Sequence, residues 1–215
     1  MKKNNIRFKE KKPGFLVFLT AIMVIVQCIL CGFGANAQTL YSLSTSKEVF
    51  MILKGTSTLH DWNMQAHALQ GQAHFHFLPD GELKSLDSLN FSVQVENLKS
   101  NETAMDNNAY RALKSNQYKD ILFKLVSATV SFIKKDQYEI KALGNLTIAG
   151  VTREIKMLVK CEINNAGRIT CTGAEKLNMT DFHVDPPKFL MGVMKTGDAI
   201  TLEFKLLFDK SINNN

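Results

Sequence analysis

The sequence predicts an all-β fold, an extended antiparallel β-barrel of about eight strands with one or two short helices. Three observations carry that expectation. Apolar and polar residues alternate with period two in segment after segment beyond residue 40. Only one stretch, 104–115, has its apolar residues at helical spacing. Strands and helices do not alternate as a doubly wound sheet requires. Each strand has a single apolar face, and an open sheet of that size would expose two edges. Closure into a barrel is the economical arrangement.

The elements follow in chain order. Residues 1–37 read as a secretory leader. Lys2, Lys3, Arg7, Lys9, Lys11 and Lys12 form a basic start, 15–33 is an apolar run, and Ala35-Asn36-Ala37 offers small residues for cleavage after Ala37. The run is long for a leader, so an uncleaved anchor is the other reading. Cleavage implies a periplasmic or secreted protein whose folded domain is 38–215. The leader carries six Lys or Arg against one Glu, so five of the chain's net six positive charges leave with it. The remainder has no basic stripe for nucleic acid.

Residues 41–54 are β-like. From Trp62 the residues Met64, Ala66 and Ala68 share a face, Gly71 bends the strand, and Ala73, Phe75 and Phe77 continue the inner face. Pro79-Asp80-Gly81 is a turn. Leu89, Phe91, Val93 and Val95 form one face of the next strand. The helix over 104–115 presents Met105, Ala109, Ala112 and Leu113. Period two returns with Ile121, Phe123 and Leu125, then with Tyr138, Ile140, Ala142, Gly144, Leu146 and Ile148. Ala149-Gly150 turns the chain into Ile155, Met157, Val159, Cys161 and Ile163.

A second turn at Asn164-Asn165-Ala166-Gly167 sets Cys161 opposite Cys171 on a hairpin. They can bridge in an oxidising compartment or remain two buried thiols. Cys28-x-x-Cys31 has redox spacing but lies in the leader. Pro186-Pro187 forbids a ladder and starts a loop with a short helical turn, running through Met194. Ile200, Leu202, Phe204, Leu206 and Phe208 face inward on the last strand, and the polar tail frays.

Candidate chemistry centres on Gly55-Thr56-Ser57-Thr58-Leu59-His60-Asp61-Trp62, which holds the only Trp. Side chains of successive strand residues point to opposite faces, so His60 and Asp61 cannot orient one another as a triad needs. No Gly-x-Ser-x-Gly elbow occurs elsewhere. His74 and His76 share a face and could ligate Zn²⁺ with His67, but a polar outer face explains them without a metal. No metal or catalytic residue is assigned. His60, Asp61, Arg153, Asp181 and His183 fall at strand ends and are candidates for a rim that holds a polar head.

Four blocks resemble the YceI-like family of secreted lipid- and polyisoprenoid-binding proteins. They are the Gly55 to Trp62 stretch with Gly71; Met105-Asp106 through Ala112-Leu113-Lys114-Ser115 to Tyr118-Lys119-Asp120-Ile121-Leu122-Phe123; Gly144-Asn145-Leu146-Thr147-Ile148-Ala149-Gly150-Val151-Thr152-Arg153; and Met179-Thr180-Asp181-Phe182-His183-Val184 with Gly197-Asp198-Ala199-Ile200-Thr201-Leu202. The family usually has Pro at Lys119 and Asp at Asn145. The resemblance implies a lipocalin-like barrel, no catalytic residues, and an apolar lumen for an isoprenoid lipid or quinone.

Strand parity then gives the lumen as Trp62, Phe75, Phe77, Phe91, Val93, Phe123, Leu125, Ile148, Met157, Phe204 and Leu206. A filled barrel serving as an envelope interaction module is the alternative, and an envelope metalloenzyme the remoter one. No resident cofactor is expected, the partner is an isoprenoid-type lipid, and an exposed first or last strand offers an edge for a homodimer.

Overall fold

The structure is a computed structural model that describes residues 39–189 and 194–211. Residues 1–38, where a leader is expected, 190–193 of the loop before Met194 and 212–215 lie outside the described residues. The elements are β1 (Thr39–Leu43), β2 (Phe50–Ser57), β3 (Trp62–Ala66), β4 (Gln70–Phe77), β5 (Leu83–Gln94), β6 (Leu98–Lys99), α1 (Thr103–Ala112), β7 (Asp120–Lys134), β8 (Gln137–Ile148), β9 (Val151–Ile163), β10 (Ile169–Asn178), β11 (Lys188–Phe189) and β12 (Met194–Lys210).

Antiparallel neighbours run β1, β4, β5, β7, β8, β9, β10, β12, and the β1–β12 pairing closes the ring. The wall therefore has eight strands. β2, β3 and β6 extend it at one end: β2 pairs β12 and β3, and β3 pairs β6. Three wall strands are thus interrupted ones, β1 with β2, β3 with β4, and β5 with β6. Closure satisfies the edge groups that an open sheet would leave exposed.

The interruptions correct the sequence reading in physical terms. The expected strand over 41–54 breaks at 44–49. There the Ser44 and Ser46 hydroxyls accept the backbone N–H groups of Ser46 and Glu48, local bonds that compete with a ladder. The strand after Trp62 breaks before Gly71: Ala68, expected inward, takes a left-handed backbone at φ 51° and stands exposed. Gly71 lies inside β4, where a Cβ would stand 3.4 Å from the Asn90 carbonyl oxygen and 3.6 Å from Leu43 and Phe91. The strand of Leu89, Phe91, Val93 and Val95 gives way at its last member to a 3-10 turn, Val95–Asn97, although Val95 stays buried.

β7 reaches Lys134, and a bulge between Leu125 and Ser127 moves its inward parity from odd to even numbers. Hence Ala128 and Val130 pack against the core while Val126 is 53% exposed. The short helical turn comes before the two prolines, at Met179–Phe182, and β11 follows them.

Other expectations hold. The helix expected over 104–115 is α1, which begins at Thr103 and ends at Ala112, three residues short of the expected end. Ala149 and Gly150 both have positive φ, 49° and 80°, the hairpin geometry that follows the twist of the flanking strands. Cys161 and Cys171 are direct cross-strand partners and are bridged.

One end of the barrel is sealed. Tyr41 meets Phe75 edge-on at 5.3 Å between centroids, and Phe75 meets Phe208 at 5.9 Å. Tyr138 of β8 is buried against Phe132, ring edge to face at 6.0 Å, and its hydroxyl accepts the Leu83 N–H at 3.1 Å. Such aromatic pairs add about 1 kcal/mol each beyond the area they bury.

Candidate functional site: an apolar chamber beneath a helix

Above the sealed end the interior is hollow. A lower chamber of about 120 Å³ is lined by apolar residues alone, from Phe75, Phe208, Cys161 and Cys171 at its base to Leu53, Ile121, Ile148 and Ile200 at its top. An upper chamber of about 360 Å³ shares Leu53, Leu98, Ile121, Ile148, Leu177 and Ile200 with it. Ligand cavities commonly span about 300–1,000 Å³. The two chambers form one apolar space with a blind end and a mouth.

The mouth is roofed by α1 and the 179–184 segment. Met105, Ala109, Ala112 and Leu113 of the helix face the upper chamber, as do Met179, Phe182 and Val184. The helix is tied down by polar contacts. The Asp106 carboxylate, 8% exposed, accepts the Ser100 N–H and hydroxyl at 2.7 Å each. The Tyr110 hydroxyl contacts the Leu98 carbonyl at 2.8 Å and accepts from Lys99 Nζ at 2.7 Å. That bond raises the Lys99 pKa. On the other side Asp198 accepts the Thr180 hydroxyl and N–H at 2.7 and 2.9 Å, and these bonds hold its carboxyl below the usual range. Polar side chains enter the lining only here: Ser57, His60, Glu102, Asn108, Asn178 and Thr196.

Trp62 sits at this mouth. Gly55 is its cross-strand partner, and a Cβ there would lie 2.2 Å from the indole ring. The missing side chain is what lets the ring lie flat on β2. Its Nε1–H donates to the Thr56 carbonyl at 3.1 Å, which fixes the ring's orientation. The Ser57 hydroxyl donates to the His60 carbonyl at 2.7 Å, closing the turn that brings the chain back as β3. The serine is thus engaged with backbone.

Of the residues expected in the lumen, Phe75, Phe91, Val93, Phe123, Ile148, Met157, Phe204 and Leu206 line the lower chamber, and Trp62 and Ile148 the upper one. Phe77 and Leu125 line neither. Phe77 packs on Tyr41 in the aromatic seal at 6.2 Å, and Leu125 sits at the β7 bulge against the core.

Among the rim candidates, His60 reaches the upper chamber while Asp61 faces an outer groove with Lys54 and Lys176. Arg153 Nε donates to the Asp181 carbonyl at 2.7 Å, so these two meet at the end of β9. His183 is exposed on a left-handed turn residue, φ 53°. His74 bonds Ser88 at 2.9 Å, His67 is exposed, and among the described residues no three metal-ligating groups converge. The roof is what sequence reasoning missed. Helical spacing located α1 in the chain, but no local signal said which cavity it would cover.

The family model of the YceI-like domain matches residues 42–208. Compared by sequence with curated proteins, the chain matches none. Among solved structures it is similar to a polyisoprenoid binding domain from Saccharophagus degradans implicated in plant cell wall breakdown, with a TM-score of 0.60 at 11% identity over 81% of this chain and 100% of that one. It is also similar to BcnA of Burkholderia cenocepacia, with a TM-score of 0.56 at 15% identity over 73% of this chain and 95% of that one. At such identities the likeness is one of fold.

Proposed function

The chain belongs to the YceI-like domain family, and from that premise we propose that it binds one amphiphilic lipid, a polyisoprenoid or isoprenoid quinone, without catalysing a reaction on it. The apolar tail occupies the lower chamber and the polar end stays at the mouth. The similar domain of Saccharophagus degradans is a polyisoprenoid-binding one, which supports this class of ligand. The observation that carries the reading is the blind chamber lined by apolar residues alone. Each buried methylene contributes about 0.8 kcal/mol, so a long chain binds well with few polar contacts. His60, Glu102, Asn108 and Asn178 are the groups placed to meet a head. With the leader removed, the protein would carry, store or shield such a lipid in the periplasm or outside the cell.

Trp62 supplies the test, because it is the only Trp and borders the upper chamber. Titration with a polyprenol or an isoprenoid quinone is expected to change its emission saturably at one equivalent, the quinone by quenching. A linear, unsaturable response to both lipids would contradict the proposal.

A further inference from the structure

The barrel wall is not laced along its whole circumference. β9 and β10 pair only from Ile163 with Ile169 to Val159 with Gly173. Beyond that point β9 residues 151–158 pair with β8 alone, and β10 residues 174–178 with β12 alone. The opening ends where Arg153 Nε donates to the Asp181 carbonyl. Between these limits the two strands form a seam without ladder pairs. Ile155 and Met157 on one lip and Leu177 on the other line the chamber directly behind it. Glu175, also on the inward register of β10, sits half-buried in the lip. Burial pushes its carboxyl up, against the opposing effect of the Lys176 N–H.

The outer face around this seam is basic and apolar together. Lys156 and Lys160 on β9, Lys176 on β10, Lys141 on β8 and Lys124 on β7 are all exposed. None is in an ion pair among the described residues. The acids on the same faces are Glu139 opposite Lys160, Glu154 opposite Asn145, Glu162 opposite Gln137 and Asp120 opposite Gln94, so the excess of positive charge lies in the rows of Lys156, Lys141 and Lys176. Between the lysines Leu158 is 49% exposed, and across β8 Val126 is 53% exposed. Lysines alone would guard an open edge against pairing with another strand. Exposed apolar side chains beside an apolar chamber do not serve that purpose.

We propose that this face docks on an anionic lipid bilayer and that the seam between β9 and β10 is where a lipid tail crosses the wall. The second clause rests on the lipid-binding function proposed above; the first does not. Lysines at a bilayer surface bind anionic headgroups, each worth about a fivefold change in affinity. Leu158 enters the headgroup layer, and a tail passes between the lips without crossing water.

Flotation of the mature protein with vesicles tests the surface. Binding is expected to vesicles of phosphatidylglycerol and phosphatidylcholine, to fall with salt, and to be absent with phosphatidylcholine alone. Lys156→Gln with Lys176→Gln should weaken it on the order of 10-fold or more. Equal flotation of the double variant and the unaltered protein, or none at low salt, overturns the docking surface.

The seam is tested by Met157→Cys with Glu175→Cys, positions that would face each other if the ladder continued. Polyprenol transfer from anionic vesicles is followed by Trp62 emission. The oxidised pair should transfer at least 10-fold more slowly than either single variant; an equal rate overturns the route. If Trp62 fails to respond to polyprenol even from ethanol, the lipid-binding reading falls while flotation still decides the surface.

Discussion

At the scale of residues, the interior is set by a few side chains whose absence matters as much as their presence. Gly55 makes room for Trp62, and Gly173 does the same for Phe204 on the partner strand, where a Cβ would lie 2.6 Å from the ring. The polar exception is Glu175. Its folded pKa is raised chiefly by burial, so the ionised form opposes folding. The stability it permits is complete below the unfolded carboxyl pKa, about 4.3, and is lost as pH rises through the higher folded value. The group is partly exposed, so solvent screening keeps the effect small. Glu175→Gln is expected to raise the melting temperature at pH 7 by about 1–2 °C and to leave it unchanged near pH 3.5, as calorimetry at the two pH values would read. A loss of stability at pH 7 would mean that the carboxylate makes a favourable contact in the seam.

At the scale of elements, alternation showed inward faces well and strand ends poorly. Ile200, Leu202, Phe204, Leu206 and Phe208 read correctly because β12 is continuous through them. Phe77 and Leu125 were placed on the inner side, yet neither borders a chamber. Parity says which face a residue takes, not how far along the barrel axis it sits. The bulge after Leu125 and the break at 44–49 depend on local backbone bonding that leaves no trace in apolar periodicity. The α1 roof depends on contacts between residues distant in sequence.

The hairpin of β9 and β10 was legible to the residue, since its turn fixes the register. The bridge between Cys161 and Cys171, separated by 10 residues, sits where the wall is still laced. It closes a short loop, worth about 3 kcal/mol. Replacing both cysteines by Ala should lower the melting temperature by about 6–12 °C. An unchanged melting temperature would show that the sealed end is held by its aromatics alone.

At the scale of the whole molecule, the described barrel has a sealed end, a roofed mouth and a stretch of wall between β9 and β10 that is not laced. Four blocks of sequence sufficed to place the chain in its family, and the matched span of 42–208 covers the ring from β1 to β12. The open volume itself was not legible, because the same alternating residues can fill a barrel or line one. What keeps it open is the arrangement of large side chains against inward glycines and beneath a helix. An apolar space of this kind is expected to leave the cell occupied.

The most direct measurement is the native mass of the protein purified from the cells that make it, followed by organic extraction. The protein should carry an extra mass of several hundred daltons that partitions into solvent as a single isoprenoid lipid class. A bare polypeptide mass, with no uptake of added polyprenol or quinone, would contradict lipid binding.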